Sequence, residues 1–106
     1  MSNHVLVANE ILRQLGGNRA VCMIGAKNLA AHNEQRGALS FRHMKSNVEG
    51  KPVNYFKVVL NEDDTYDVEF GWIRGTKYTV RKSVQGIYND QLQEVFQEET
   101  KLYLTL

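Results

Sequence analysis

The feature that most constrains the fold is a run of three β-prone segments between Val53 and Gln85. The segments read VNYFKVVLN, TYDVEFGWI and KYTVRKSVQ, and the short connections between them are EDD and RGT. Apolar and polar residues alternate along the segments, as in a strand with one buried face. Short connections that contain Asp or Gly favour hairpins. The stretch therefore predicts three consecutive antiparallel strands.

The alternation also predicts a register. We place EDD as the first turn and residues 74–76 as a three-residue second turn, because a one-residue slip would move every apolar side chain to the polar face. The residues expected on the buried face are Phe56, Val58, Leu60, Tyr66, Val68, Phe70, Trp72, Tyr78, Val80 and Val84. Helices at the two ends of the chain are the available cover for this face.

The same register makes a prediction for the outward face. It aligns Lys57, Glu69 and Arg81 across the three strands, so that one carboxylate lies between two cations. Opposite charges on neighbouring strands stabilise the pairing. It also sets Tyr55 opposite Gly71, where its ring is expected to lie over the missing side chain.

The segments before this stretch are predicted from periodicity. Residues 5–15 repeat apolar side chains at helical spacing and are followed by two glycines, which predicts an amphipathic helix. Residues 19–25 form a short apolar run that favours a buried strand, with Cys22 as a small buried side chain. Residues 26–37 fit a loop or a short helical turn, and residues 39–44 alternate as a strand.

The remaining segments are a loop and a second helix. Residues 45–52 are predicted as an exposed loop, since Gly50 and Pro52 interrupt regular structure. Leu92, Val95 and Phe96 recur at helical spacing near the C-terminus. We predict an α+β fold: one domain over residues 1–106, with an antiparallel β-sheet of about five strands and an N-terminal and a C-terminal helix packed on one face.

Composition narrows the classes of function. The net charge of +1 argues against a non-specific coat on nucleic acid, although residues 1–57 carry eight Lys or Arg and three acids while the rest carries five and nine. No apolar run approaches the roughly 18 residues of a membrane span, and the start lacks the pattern of a secretory signal. With the single cysteine, these features predict a cytoplasmic protein without a membrane partner.

The sequence offers no set of residues with a reaction mechanism. The three histidines are scattered, and the acidic run at 62–64 lacks the ligand spacing of a calcium loop. The Gly16-Gly17 pair lacks the remaining residues of a phosphate-binding loop. We therefore predict no catalytic residues, no metal and no cofactor, and a non-enzymatic role.

The positive signal for function is a set of cations near aromatic residues. The candidate binding residues are Lys27, Arg42, Lys45, Arg74, Lys77 and Arg81. Basic side chains beside stacking aromatics hold single-stranded nucleic acid, and arginine also binds carboxylate or phosphate on other partners. The alternative is that the aromatics belong to the core and the cations only solubilise the hairpin.

Four segments carry a resemblance to a known group. ILRQLGGN, IGAKN, TYDVEFGWIRG and YNDQL resemble small uncharacterised proteins of phages, plasmids and bacterial mobile elements, over nearly the whole chain from Ile11 to about Leu104. The resemblance implies a bacterial or phage cytoplasmic setting, in the host cell, and brings no assigned catalytic residue.

These observations lead to one functional expectation and two alternatives. We expect a small phage- or mobile-element-type interaction module that engages a host or viral protein. The alternatives are a nucleic-acid-binding module that uses the basic hairpin tip and loops, and capture of a small anionic ligand such as a nucleotide. Residues 39–44, or the tail at 102–106, could serve as an uncovered edge strand for a homo-oligomer.

Overall fold

The computed structural model describes residues 4–102 and residue 104. The elements are α1 (His4–Leu15), α2 (Gly17–Met23), β1 (Lys27–His32), β2 (Ala38–Val48), β3 (Lys51–Leu60), β4 (Tyr66–Arg74), β5 (Lys77–Ile87), a 3-10 turn (Asn89–Gln91) and α3 (Leu92–Thr100). The five strands follow chain order in one sheet, and each is antiparallel to its neighbours. Both α1 and α3 pack against β2. The predicted fold class is confirmed.

Four phenylalanines form the centre of the core. Phe41, Phe56 and Phe70 are directly opposed on β2, β3 and β4, and Phe96 of α3 packs on them with its ring centroid 4.8 Å from that of Phe56. All four side chains are fully buried. Burying a side chain of this size stabilises the fold by roughly 1.5–3 kcal/mol, so this cluster fixes α3 on the sheet.

The first helix forms as its periodicity predicts. Ala8, Ile11 and Leu15 are buried, and their spacing places them on one face of α1. Gly16 ends the helix with φ 120, and its N–H donates to the carbonyl of Arg13 at 3.0 Å. The predicted glycine stop is therefore confirmed at this position.

The prediction of a buried strand at 19–25 is wrong, because most of this run lies in α2. Ala20, Val21 and Ile24 are buried, a spacing that one face of a helical turn produces. Cys22 falls on the other side and is exposed, so its predicted burial is wrong as well. A short apolar run has no periodicity that distinguishes the two structures.

Two segments expected to be loops contribute to the sheet. Residues 27–32, for which a loop or a helical turn was considered, form β1. The predicted loop at 45–52 is mostly a continuation of β2 and β3, which turn at Glu49 and Gly50 with positive φ values. Because β1 pairs with β2, residues 39–44 are not an edge strand, and the edges are β1 and β5.

The predicted register holds in the first hairpin and shifts in the second. Leu60 opposes Tyr66 and Phe56 opposes Phe70, as predicted. The second turn has two residues, Gly75 and Thr76, because Arg74 opposes Lys77. An irregularity between Phe70 and Gly71 then restores the alternation further along β5. The alternation of side chains does not predict this β-bulge, because a register derived from alternation assumes that every residue of one strand is paired with one residue of the other.

The bulge changes which residues of β5 are buried and which are opposed. Tyr78 and Val80 were expected inside, but they are 43% and 48% exposed. Ser83, not Arg81, opposes Glu69, so the predicted three-residue charge row is wrong at its last position. Lys57 does oppose Glu69, yet its ammonium group pairs with Glu34.

The C-terminal helix α3 forms over Leu92–Thr100, where the apolar spacing predicts a helix. Leu92 and Phe96 are buried on α3 as predicted, while residues 89–91 form the 3-10 turn. Leu104 is buried. Three residues of the tail that was considered as an edge strand, at positions 103, 105 and 106, lie outside the described residues.

Candidate functional site

The helices contribute to a core on one face of the sheet, and the candidate site lies on the opposite face, which we call the open face. A row of directly opposed residues crosses it: Lys27, Arg42, Tyr55, Gly71 and Val80, one from each strand. Directly opposed residues of antiparallel strands share a face. We call these five residues the open-face row. Two predicted site residues, Lys27 and Arg42, are therefore neighbours there.

The gap at Gly71 in this row is filled by Tyr78. A Cβ atom at position 71 would overlap the Tyr78 ring, so glycine is what allows the ring to lie on β4. The Tyr78 hydroxyl donates to the Glu69 carboxylate, and the ring meets Tyr55 edge to face with 5.1 Å between centroids. The expected cover of Gly71 by Tyr55 is thus corrected: Tyr78 covers it, and Tyr55 packs beside it.

The Tyr78 hydroxyl is a fixed donor. Burial, followed by the hydrogen bond to the Glu69 carboxylate, raises the pKa of Tyr78 far above its usual value. The phenol therefore keeps its proton at any physiological pH, and the pair orients the ring instead of transferring a proton. Its role in a site would be to present an aromatic surface.

The other predicted site residues lie in the same half of the sheet but not all on the open face. Arg74 and Lys77 are opposed across the second turn, and Arg81 directly follows Val80 of the open-face row. The Lys45 ammonium group lies 6.0 Å from the centre of the Trp72 ring. Trp72 alternates with the buried Phe70, so Lys45 is on the helix side. The structure brings the six residues to one half and divides them between two faces.

Topology explains why the cations share one half. Successive hairpins of an antiparallel sheet turn at alternate ends, so the β2–β3 and β4–β5 turns lie at one end of the sheet. Residues 42–55 and 71–81, which form that half, carry a single acid, Glu49. The other end holds the turn at 61–65, with its run of three acids, and the loop that contains Glu34. The sheet therefore has a basic end and an acidic end.

Two of the arginines have a polar atom with no partner. The Nε atoms of Arg42 and Arg81 are buried and, within the part of the chain that the structure describes, make no hydrogen bond. Leaving a buried donor unpaired costs about 1–3 kcal/mol. Both side chains are thus held on the sheet by packing and not by an ion pair at Nε.

An open cavity lies on the same face toward the acidic end. It has a volume of about 250 Å³, and its polar lining residues include Glu34, Lys57, Asn61, Asp67, Glu69, Ser83 and Gln85. Lys57 pairs with Glu34, and Asp67 accepts from the Asn61 side chain at 2.8 Å and from the Gly86 N–H at 3.2 Å. No sequence signal could have found this cavity, because the loop that carries Glu34 is brought to β3 only by the fold.

Two histidines have side-chain contacts that bear on chemistry. His32 Nε2 lies 2.6 Å from Ser40 Oγ. Ser40 is 3% exposed, so the approach that a nucleophile needs is closed. His43 is buried between Phe41 and Phe96, with Nδ1 2.7 Å from the Met44 carbonyl oxygen, and burial lowers its pKa. Both contacts are accounted for by packing and hydrogen bonding in the sheet.

Neither a metal site nor a membrane-spanning helix is found in the part of the chain that the structure describes. Over residues 4–102 and 104, no three His, Cys, Asp or Glu side chains are placed to hold a metal ion. In the same residues, no helix has the length and apolar character to cross a bilayer.

Comparison with protein-family models, with curated proteins and with solved structures finds no match to this chain. The resemblance to phage and plasmid proteins therefore remains a prediction. The candidate site rests on the geometry of the open face alone.

Proposed function

We propose that this chain is a small non-enzymatic binding module of the phage or mobile-element type, which engages a host or viral protein through the open-face row and Tyr78. One observation carries the proposal: Arg42, Tyr55 and Tyr78 lie together on the face that the helices leave open. Arginine and tyrosine are enriched among the residues that contribute most to protein–protein binding.

The state of these side chains also suits a protein contact. Tyr78 is oriented before binding by Glu69, Tyr55 and the strand at Gly71, so little side-chain entropy is lost when a partner covers it. Tyr78 is 43% exposed and still has area to bury. A tyrosine that is rigid and half exposed can provide apolar contact area without a large ordering cost.

The charge of the open face favours a protein over a polyanion. The cavity carboxylates Glu34, Asp67 and Glu69 lie on the same face as the open-face row. A nucleic-acid strand that followed this face would leave the cations and meet these acids, which repel phosphate. A protein surface with both signs of charge avoids this repulsion.

Nucleic-acid binding at the basic end is the second candidate. Its support is the turn between β4 and β5, where Arg74 and Lys77 are opposed and residues 71–81 contain no acid. Lys45 over the partly buried Trp72 adds a further cation near this end. Such a tip could hold a short single strand.

Affinity capture with matched variants tests the protein-binding proposal. The wild-type chain and the Arg42→Gln/Tyr55→Ser variant are used as bait in bacterial lysate, with quantitative mass spectrometry as the readout. Arg19→Gln is the control, because Arg19 is an exposed cation on α2, away from the open face. We expect a protein that is enriched by the wild type and by Arg19→Gln and is lost with the double variant. Thermal melting checks that all three are folded.

Two results would overturn this proposal. One is that no protein is enriched by the folded wild-type chain. The other is that the enriched protein binds the Arg42→Gln/Tyr55→Ser variant as well as it binds the wild type.

A salt titration tests the second candidate. Binding of a labelled short single strand is followed by fluorescence anisotropy, and each phosphate contact should contribute about 0.7 to the slope of log K against log salt. Arg74→Gln/Lys77→Gln should lower this slope, while Arg19→Gln should not. Affinity that is unchanged in the tip variant eliminates nucleic-acid binding at the basic end.

A further inference from the structure

The edge strand β1 lies beside an apolar surface. Leu29 is 42% exposed on β1, and Val5 and Leu6 are 53% and 69% exposed on α1. A groove of about 250 Å³ between these elements is lined mainly by apolar side chains, among them Val5, Ala8, Leu12, Leu29 and Ala31. An edge strand carries unpaired backbone N–H and C=O groups, and apolar side chains next to it make pairing with another strand favourable.

The charges at the two ends of β1 are complementary to each other. Lys27 begins the strand, and Glu34 follows its last residue, His32, by two positions. Lys27 opposes Arg42 on the open face, and Glu34 lines the open-face cavity with Lys57, so both charges are on the same face of the sheet. Two antiparallel copies of this strand would place each Lys27 near the Glu34 of the other.

The side-chain alternation restricts how two copies can pair. A two-fold axis perpendicular to the sheet keeps the open faces of both copies on one side when a residue of β1 meets its own counterpart, and we place Ala30 or Ala31 at that position because of the charges. In either register Lys27 lies within one residue of Glu34 in the second copy. The small side chains at 30 and 31 allow close approach, and Leu29 would enter the groove beside Ala31.

The other edge lacks this complementarity. Residues 77–87 of β5 include Lys77, Arg81 and Lys82 and no acid. Two antiparallel copies of β5 would bring cations next to cations, which destabilises pairing. Charge therefore selects β1 over β5 for contact between copies.

We propose that β1 is a homodimer interface, in which a second copy of this chain pairs antiparallel with β1 and covers the apolar groove beside α1. This assembly extends the sheet across the two-fold axis and leaves Arg42, Tyr55 and Tyr78 on an open face that is twice as wide. It shares Lys27 with the open-face row, but it does not rest on the proposed function, whose test uses Arg42 and Tyr55.

Sedimentation equilibrium over a range of concentrations tests the dimer. The wild type should approach twice the 12.1 kDa mass of one chain. Leu29→Lys should remain a monomer, because it places a charge in the groove. Val80→Lys is the matched control: Val80 is 48% exposed on the other edge strand, and its substitution should leave dimerisation unchanged.

A charge exchange between two chains tests the orientation. Lys27→Glu alone and Glu34→Lys alone should each weaken dimerisation by about tenfold, since two ion pairs per dimer become repulsive contacts. An equal mixture of the two variants should dimerise as the wild type does, because each contact then joins opposite charges. Only a contact between chains can produce this rescue.

Three results would overturn the proposal. They are a wild-type chain that stays monomeric at all concentrations, a Val80→Lys variant that loses dimerisation while Leu29→Lys keeps it, and a mixture of the charge variants that is no better than either alone. In the first case the groove would be covered by something other than a second copy.

Discussion

The contact between Gly71 and Tyr78 gives the sharpest prediction about the sheet. Gly71→Ala forces the Tyr78 ring off the strand, because a Cβ atom would overlap it. The ring can swing away, so the cost is limited to what its contacts contribute. These are an aromatic pair with Tyr55, worth about 0.5–1.5 kcal/mol, and a hydrogen bond to the charged Glu69 carboxylate, worth about 1.5–3 kcal/mol. Alanine itself favours the strand over glycine by roughly 0.5–1 kcal/mol.

These contributions predict that Gly71→Ala destabilises the wild type but not a variant that lacks the Tyr78 ring. In the wild type, Gly71→Ala should lower the free energy of unfolding by about 1–4 kcal/mol. In a Tyr78→Ala background the same substitution should be neutral or should raise the free energy of unfolding by up to about 1 kcal/mol. Urea denaturation followed by circular dichroism measures all four corners of this double-mutant cycle. Equal effects of Gly71→Ala in both backgrounds would refute the coupling of the two residues.

Three further predictions concern the core and the helices. Burial holds the pKa of His43 below its usual value. At pH values between the folded and the unfolded pKa, the unfolded state therefore binds more protons than the folded state. The free energy of unfolding should consequently fall as the pH drops below about 6.5. Urea titrations at a series of pH values measure this dependence, which His43→Met should remove. An unchanged dependence of the free energy of unfolding on pH in the variant would contradict the prediction. Phe96→Ala should cost about 3–5 kcal/mol by denaturation, whereas Val95→Ala, at the half-buried neighbour, should cost clearly less; similar costs would contradict the central place of Phe96. Exposed Cys22 should react fully with a thiol reagent in the native state, and a need for denaturant would place it in the core.

The parts of the fold that the sequence predicts are those with a long, regular pattern. The first hairpin register is fixed by the apolar alternation of Phe56, Val58 and Leu60 against Tyr66, Val68 and Phe70. The residues of α1 that repeat at helical spacing do so over three turns, which leaves little room for another structure. In both cases one face must be buried, so a shift of one residue would be costly.

The predictions that are wrong fall where the pattern is short or interrupted. The run at 19–25 has too few residues to show a period, and it becomes a helix because Ala20 of α2 and Ile24, the C-cap residue that follows it, are then buried against the core. The second hairpin has an irregularity, and one extra residue reverses the faces of Tyr78 and Val80. The sequence of one strand does not predict a bulge, because a bulge depends on how that strand pairs with its neighbour.

The candidate site was partly visible in the sequence. The cations and tyrosines near the second turn could be recognised by composition, and the structure does bring Lys27 next to Arg42 and Arg74 next to Lys77. Their division between two faces could not be predicted, since it depends on the bulges in β2 and β5. The pairing of Lys57 with Glu34 was missed for the same reason: it joins residues far apart in the chain.

The sequence by itself determined that this chain has an antiparallel sheet with a buried aromatic face and helices at both ends, because those features follow from the periodicity of side chains along each segment. Only the tertiary structure decided which face Tyr78 occupies, which strand forms the edge, and which charges meet across the open face. These depend on register shifts and on loops that fold back, and both are set by contacts between segments rather than within them.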